Sequence, residues 1–492
     1  MKLHVVTALA LAVLCSLAQG APKKKGLENL GNVLYIGDSI THGFRAPSYR
    51  WAMHKILVDN GIQYNEIGVE KGSHSNGIEP GTMYIAVPFQ NVHAAMSSQR
   101  AYETAGRLHP EDSNRLDKTD IFDWLEVPDK ADNDARKLNA KPDTCFIMLG
   151  TNDALSDNVK DGVGKHVSSV QKPLVNDIKT IVTTIRKACP KAKVYVLSIP
   201  AWADTKNNNL AKDHEVVMKR LNPALAKAFK KDFVDLNVGL VDVACTDMPG
   251  KAVKSFMNQN DQLHPTLQGD LIIAGLVARS MGIAGRSAGL PRKAAADFVQ
   301  NSQLLLDAAT VKDDITLAND TLTLKAEKKL ETTWKEGSDV RKGFAVEFVP
   351  AVGDGAKNGW DAEGKITLTL GNGVHAGQLS VTESYIMWGG TILYSSDMSK
   401  NKDAVRVAWV GGSESQNVAK GFYVWLGDML IGEGLPDVGA KMTGICLENS
   451  FNHDEVVKGF AADAESSAPA TKNFVKEAAF LIYDEEAEPA QK

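Results

Sequence analysis

Between Gly31 and Arg286 short, continuously apolar runs alternate with segments of helical periodicity, and no other feature restricts the fold of this chain so strongly. Asn32-Val33-Leu34-Tyr35-Ile36 reads as a buried strand, Trp51 to Asp59 as a helix stopped by Gly61, and a second strand ends near Ile67. Thr144 to Leu149 forms a third strand. Leu174, Val175, Ile178, Ile181, Val182 and Ile185 then recur at intervals of three and four, the mark of an amphipathic helix. Val194 to Ile199 is a strand, Val217, Leu221, Leu225 and Phe229 share a helix face, Phe233 to Leu236 is a strand, and a helix runs from about Leu267 to Ser280. Strands that are apolar on both faces and separated by helices require a parallel sheet covered on both sides. Such a sheet binds ligands beyond the carboxyl ends of its strands.

One stretch, roughly Ile67 to Lys141, breaks this rhythm. It is polar, rich in Gly, Ser, His and Asn, and far longer than an ordinary connection, so it is expected to shape a substrate pocket. Beyond Pro291 the period changes to two. Phe344, Val346 and Phe348 form one alternating set, Ile366, Leu368 and Leu370 a second, and Val405, Val407 and Trp409 a third. Tyr423 to Leu426, Gly427-Asp428 and Met429 to Ile431 read as a tight hairpin, and the whole region as an all-β sandwich. The expected division is a leader at 1–20, an α/β domain at 27–290, a β-sandwich at 307–460, and a Ser- and Ala-rich tail at 461–492, with the domain boundary between Gly285 and Asp307.

The leader reads as an export signal: Lys2 starts it, Val5 to Leu17 is apolar, and Ala18-Gln19-Gly20 places small residues where a peptidase cuts. A secreted or periplasmic location follows as an expectation. No later segment has about 20 consecutive apolar residues, so no membrane span is expected in the mature chain. Of the 492 residues 60 are acidic and 55 basic, a net charge of -5 that offers nothing to hold a phosphate backbone, so nucleic acid is not an expected partner. Cys145, Cys189, Cys245 and Cys446 remain after the leader. They lack paired C-x-x-C spacing, and no H-E-x-x-H motif occurs, so neither a metal nor another cofactor is expected.

Three short blocks fall where the sheet would present them. Gly37-Asp38-Ser39-Ile40-Thr41-His42-Gly43 follows the first strand, Gly150-Thr151-Asn152-Asp153 the third, and Asp261-Gln262-Leu263-His264-Pro265-Thr266 precedes the last helix. A serine hydroxyl attacks an ester only when a base removes its proton, and histidine does so near neutral pH. A carboxylate that fixes the imidazole completes the set, and Asp261 lies three residues before His264 in one loop. Ser39 is therefore the candidate nucleophile, His264 the base and Asp261 its orienting acid. The developing oxyanion needs oriented donors, which the Ser39 amide and the Asn152 side chain can supply. Asp38 and Asp153 are read as structural groups that bond backbone. His42, His74 and His93 could touch substrate, although loop histidines are more often simply solvated.

The blocks G-D-S-I-T-x-G, G-T-N-D and D-x-x-H-P-T resemble those of the GDSL, or SGNH, hydrolases over roughly Gly31 to Gly285. That resemblance implies a flavodoxin-like three-layer α/β/α sandwich and hydrolysis of carboxylic esters, with Ser39, His264, Asp261 and Asn152 in the roles just named. It also implies a glycine amide as a further oxyanion donor. The family's second block is interrupted here, in Asn65-Glu66-Ile67-Gly68-Val69-Glu70-Lys71-Gly72; Gly72 is the choice for that donor, with Gly68 and Gly106 as alternatives.

The β region resembles concanavalin-type lectin or glucanase sandwiches in texture. Its Trp360, Trp388, Trp409 and Trp425 would form a sugar-stacking face or, in the commoner use of large aromatics, fill the sandwich core. The expectation is a secreted serine esterase that removes short acyl groups, acetyl foremost, from a carbohydrate, its partner being an acylated small molecule or polysaccharide. The alternatives are a lipase or lysophospholipase, and a glycan-binding surface protein with a decayed hydrolase domain.

Overall fold

The computed structural model describes residues 29–74, 77–106, 121–125, 137–155, 166–203, 213–245, 250–283, 315–318, 321–324, 329–333, 345–352, 366–370, 377–410, 414, 417–436, 444–449 and 455–463. The leader, the domain boundary and Trp360 lie outside these residues. In chain order the first part contains β1 (Asn29–Gly37), α1 (Ser39–His42), α2 (Tyr49–Asp59), β2 (Gln63–Ile67), β3 (Glu70–Lys71), β4 (Met83–Tyr84), β5 (Val87–Pro88), β6 (Val92–Ala95), α3 (Ala101–Thr104), α4 (Ile121–Trp124), β7 (Thr144–Met148), α5 (Thr151–Ala154), α6 (His166–Ala188), β8 (Lys193–Leu197), α7 (Asn222–Phe229), β9 (Phe233–Val234), α8 (Asn237–Leu240) and α9 (Leu267–Ser280).

The main sheet runs β3-β6-β1-β7-β8-β9, with β2 also paired to β1. All these pairings are parallel except β3 with β6. Strand alternation feeds two cores. Val33, Tyr35, Phe146 and Met148 point into one apolar cluster, whereas Leu34, Ile36, Cys145 and Ile147 point into the other. Both faces are thus dry, as the α/β reading of a mostly parallel sheet covered on both sides requires.

The stretch read as a long polar insertion contains a strand that its composition hides. β2 follows β1 only as far as the Leu34–Ile67 pair; the chain then leaves the sheet, and β6 takes over beside Ile36 and Gly37. Gly68 marks the exit. A Cβ there would lie 2.1 Å from the His93 carbonyl oxygen, so only glycine lets β2 yield to β6 so closely.

The second part is β10 (Ile315–Ala318), β11 (Thr321–Leu324), β12 (Lys329–Thr333), β13 (Ala345–Val352), β14 (Ile366–Leu370), β15 (Gly377–Val381), β16 (Tyr385–Trp388), β17 (Thr391–Ser395), β18 (Val405–Val410), β19 (Gly421–Leu426), β20 (Met429–Leu435), β21 (Gly444–Asn449) and β22 (Glu455–Asp463). They form two antiparallel sheets, β10-β11-β22-β13-β18-β19-β20 and β12-β21-β14-β15-β16-β17, whose inner residues share one core. Trp388 packs on Phe422 between the sheets at 4.7 Å. Trp388, Trp409 and Trp425 are all buried, so none presents a stacking face; Trp388 and Trp409 face the sandwich interior, whereas Trp425 lies on the opposite face of β19 from Phe422, beneath the Arg406 guanidinium. The expected hairpin pairs Leu426 with Met429 around Gly427. β22 runs three residues into the segment read as tail. Cys145, Cys189 and Cys245 are free thiols.

The two parts are joined through α9. Leu271 to Leu276 and on through Ala278 are buried around the whole circumference, and a helix apolar on every side must be covered on every side. One flank meets α2; the stripe Gln268, Ile272, Gly275, Leu276 and Arg279 turns the other way. Gln268 Nε2 donates to the carbonyls of Leu393 (2.9 Å) and Ile431 (2.6 Å). A Cβ on Gly275 would lie 2.6 Å from Met429 Cγ, and Arg279 Nη2 donates to the Leu426 carbonyl at 2.8 Å. Lys55 of α2 reaches across to Glu433 at 2.7 Å. Among the described residues no helix is long and apolar enough to cross a membrane.

Candidate active site

Asp38 caps α1: its Oδ1 accepts the Ile40 amide at 3.0 Å, satisfying one of the donors that every helix start leaves open. Ser39 is the first helical residue, so its own N–H has no intrahelical acceptor. Gly43 ends this single turn at φ +89°. The serine is held at the carboxyl edge of β1, only 7% exposed.

His264 reaches it from the far end of the α/β domain. Its Nε2 lies 2.7 Å from Ser39 Oγ, across 225 positions of sequence. Its Nδ1 lies 3.1 Å from Asp261 Oδ2, while Asp261 Oδ1 accepts the amides of Leu263 and His264, each at 3.0 Å. The loop is pinned on both sides. The Asn258 amide donates to the His264 carbonyl at 2.7 Å, the Thr266 amide to the Phe256 carbonyl at 2.9 Å, and Thr266 caps α9 through Gly269. Burial raises the Asp261 carboxyl, but the bonds from His264 and Leu263 outweigh it and hold the group at about 2. Asp261 is therefore an anion throughout the range in which an imidazole base works.

Asn152 stands in α5, directly after β7, whose Met148 is the register partner of Gly37. Its Nδ2 donates to the Gln99 carbonyl at 3.0 Å, which fixes the amide plane and leaves the second N–H of that nitrogen over. The structure does not place Gly72 as the third donor. Its amide is given to the Asn91 carbonyl at 2.8 Å, and that of Gly106 to the Glu103 carbonyl at 3.0 Å. The fully buried Arg50 holds the Gly72 loop instead, donating to the Thr41 carbonyl (2.7 Å), Asn91 Oδ1 (2.7 Å) and the Gly72 carbonyl (3.3 Å).

Asp153 Oδ2 accepts the Ala101 amide at 3.0 Å, and burial pushes its carboxyl up to about 7. His42 lies between His74 and His93; burial, with Arg50 and His74, holds it down at about 4, so it is neutral near pH 7. His93 donates to the Gly72 carbonyl at 2.8 Å, and His74 is exposed at the lip. Two neighbours carried no signal in the sequence: the Phe44 ring packs 4.6 Å from His264, and Arg45 Nε lies 2.8 Å from Asp261 Oδ2. Among the described residues no group of three or more His, Cys, Asp or Glu is arranged to hold a metal ion.

Burial pushes the Asp38 carboxyl up to about 6, against the pull of the Ile40 amide, Thr151 and His264. Below about pH 4 folded and unfolded chains both hold this proton. As pH rises to about 6 the unfolded chain ionises first, and stability is lost. Asp38→Asn keeps the acceptor for Ile40 and removes that loss. The variant is expected to match the parent at pH 4 and to exceed it by about 1–3 kcal/mol at pH 8. Thermal unfolding at the two pH values checks this, and an equal difference at both would contradict it.

Residues 117–271 match the family described as GDSL-like Lipase/Acylhydrolase, a span that includes Asn152, Asp261 and His264. No curated protein matches the chain. Among solved structures, similarity extends to a carbohydrate esterase family 3 protein from Talaromyces cellulolyticus, at 20% identity over 51% of this chain and 95% of that one, with a TM-score of 0.34. It extends also to a Clostridium thermocellum family 3 carbohydrate esterase, at 15% identity over 51% and 94%, with a TM-score of 0.31. A gut microbial diltiazem-metabolizing enzyme is similar at 14% identity over 73% and 72%, with a TM-score of 0.32.

Proposed function

We propose, from the match of residues 117–271 to the GDSL-like lipase/acylhydrolase family, that this chain is a serine esterase that removes short acyl groups, acetyl foremost, from a carbohydrate. The observation that carries the reading is the unbroken line Ser39 Oγ, His264, Asp261, at 2.7 and 3.1 Å. Ser39 Oγ attacks the acyl carbon while its proton passes to His264 Nε2. Asp261 holds the imidazole by Nδ1 and steadies the cation that forms. Negative charge on the acyl oxygen is met by the Ser39 amide and the Asn152 side chain. Collapse expels the alcohol, which takes the proton from His264, and water then releases the acid by the same steps reversed.

The acyl length rests on the narrowness of the hollow beside Gln99, bounded by Val69, Glu70, Ala94, Ala95, Met96 and Trp124, whose volume of about 10 Å³ leaves no room for a long chain. The carbohydrate rests on the expected export signal and on a polar lip, where His74 is exposed. An acetyl-release assay on acetylated polysaccharides, set beside hydrolysis of long-chain lipid esters, tests the assignment. Preference for acetylated sugars is expected. Faster turnover of long-chain esters would replace it with a lipase.

A further inference from the structure

We propose that Arg45 is a positioning residue of the acid–base pair, holding Asp261 in the orientation in which it receives His264; the inference rests on the triad reading above. Asp261 Oδ1 is satisfied by two backbone amides of its own loop, so that oxygen is fixed locally. Oδ2 is not. It faces His264 Nδ1 at 3.1 Å, and its second neighbour is Arg45 Nε at 2.8 Å. The Asp261 side chain is 23% exposed. Take the guanidinium away, and water reaches the oxygen that must stay aligned with the imidazole.

Three further observations make Arg45 part of the site's construction. It belongs to the turn that follows α1, so the chain segment that presents the nucleophile also presents the cation. Its φ is +69°, in the left-handed region that residues other than glycine seldom occupy, and such conformations persist where surrounding contacts over-determine them. Its guanidinium lies over the Phe44 ring at 5.0 Å, and that ring packs 4.6 Å from the His264 ring. The Phe44-Arg45 pair therefore touches both members of the distant loop: the ring covers the imidazole, and the cation holds the carboxylate. This ties together two segments more than 200 residues apart, an outer support analogous to the groups that orient metal-bound histidines, whose loss typically costs about 10–100-fold.

The contact is with the carboxylate and not with substrate, which sets the form of the test. In the full-length protein, Arg45→Met is expected to lower kcat for p-nitrophenyl acetate by about tenfold with KM within about twofold, and Arg45→Lys to recover most of the loss. A readout independent of turnover accompanies this: the low-field proton resonance of His264 Nδ1–H bonded to Asp261, assigned by its loss in Asp261→Asn. It should weaken or move upfield in Arg45→Met and persist in Arg45→Lys. An unchanged resonance and kcat in Arg45→Met would overturn the proposal, as would a loss confined to KM, which would make Arg45 a substrate contact. Should the parent protein not turn over esters while the resonance still depends on Arg45, the esterase reading falls and the positioning role stands.

Discussion

Ser39→Ala is expected to lower kcat for p-nitrophenyl acetate by about 10⁴-fold or more, because loss of a triad nucleophile leaves only binding and oxyanion stabilisation. The same change removes one hydroxyl that is 7% exposed and its single bond to His264, so the cost in stability should be about 0.5–1.5 kcal/mol. Activity and fold are thus separable at this position. Initial rates, thermal unfolding and labelling by a fluorophosphonate should be measured together on parent and variant. Turnover retained in a well-folded variant would take Ser39 out of the chemistry, whatever its distance from His264.

The second large effect concerns the β-sandwich. A chain ending at residue 286 should yield little soluble, active protein. Truncation there uncovers the stripe Gln268, Ile272, Gly275, Leu276 and Arg279 of α9, and it removes Glu433 from Lys55. Burying one large aliphatic side chain contributes about 1.5–3 kcal/mol, so uncovering two or three consumes a large part of a typical stability of about 5–15 kcal/mol. The effect on activity is direct as well, because α9 begins two residues after Pro265 and its capped start anchors the His264 loop. The complementary fragment from Pro291 onward should be insoluble alone for the same reason, since Met429, Leu430 and Ile431 are at most 1% exposed in the whole protein. Expressing each fragment alone and both together checks this, with soluble activity returning only on co-expression. A truncated hydrolase that unfolds cooperatively and retains activity would show that α9 needs no cover.

Much of the α/β domain was legible because its signals are local. Val33 to Ile36 and Thr144 to Met148 are apolar without interruption, and a strand that buries both faces must be. β6 was hidden because Val92-His93-Ala94-Ala95 lacks that character: His93 is accommodated by a bond to the Gly72 carbonyl, a partner that no local pattern announces. Reading Trp388, Trp409 and Trp425 as either a platform or a core was as far as alternation could go, since period two names a face without saying what covers it.

The same division runs through the site. Three blocks at strand ends were enough to nominate Ser39, Asn152, Asp261 and His264, because residue type and placement after a strand are properties of a short segment. The direction of Gly72's amide, the clamp of Phe44 and Arg45 on the acid–base loop, and the cover that β20 gives α9 were decided only by tertiary structure. Each depends on which distant atom arrives opposite a given group, and neither periodicity nor motif spacing encodes that.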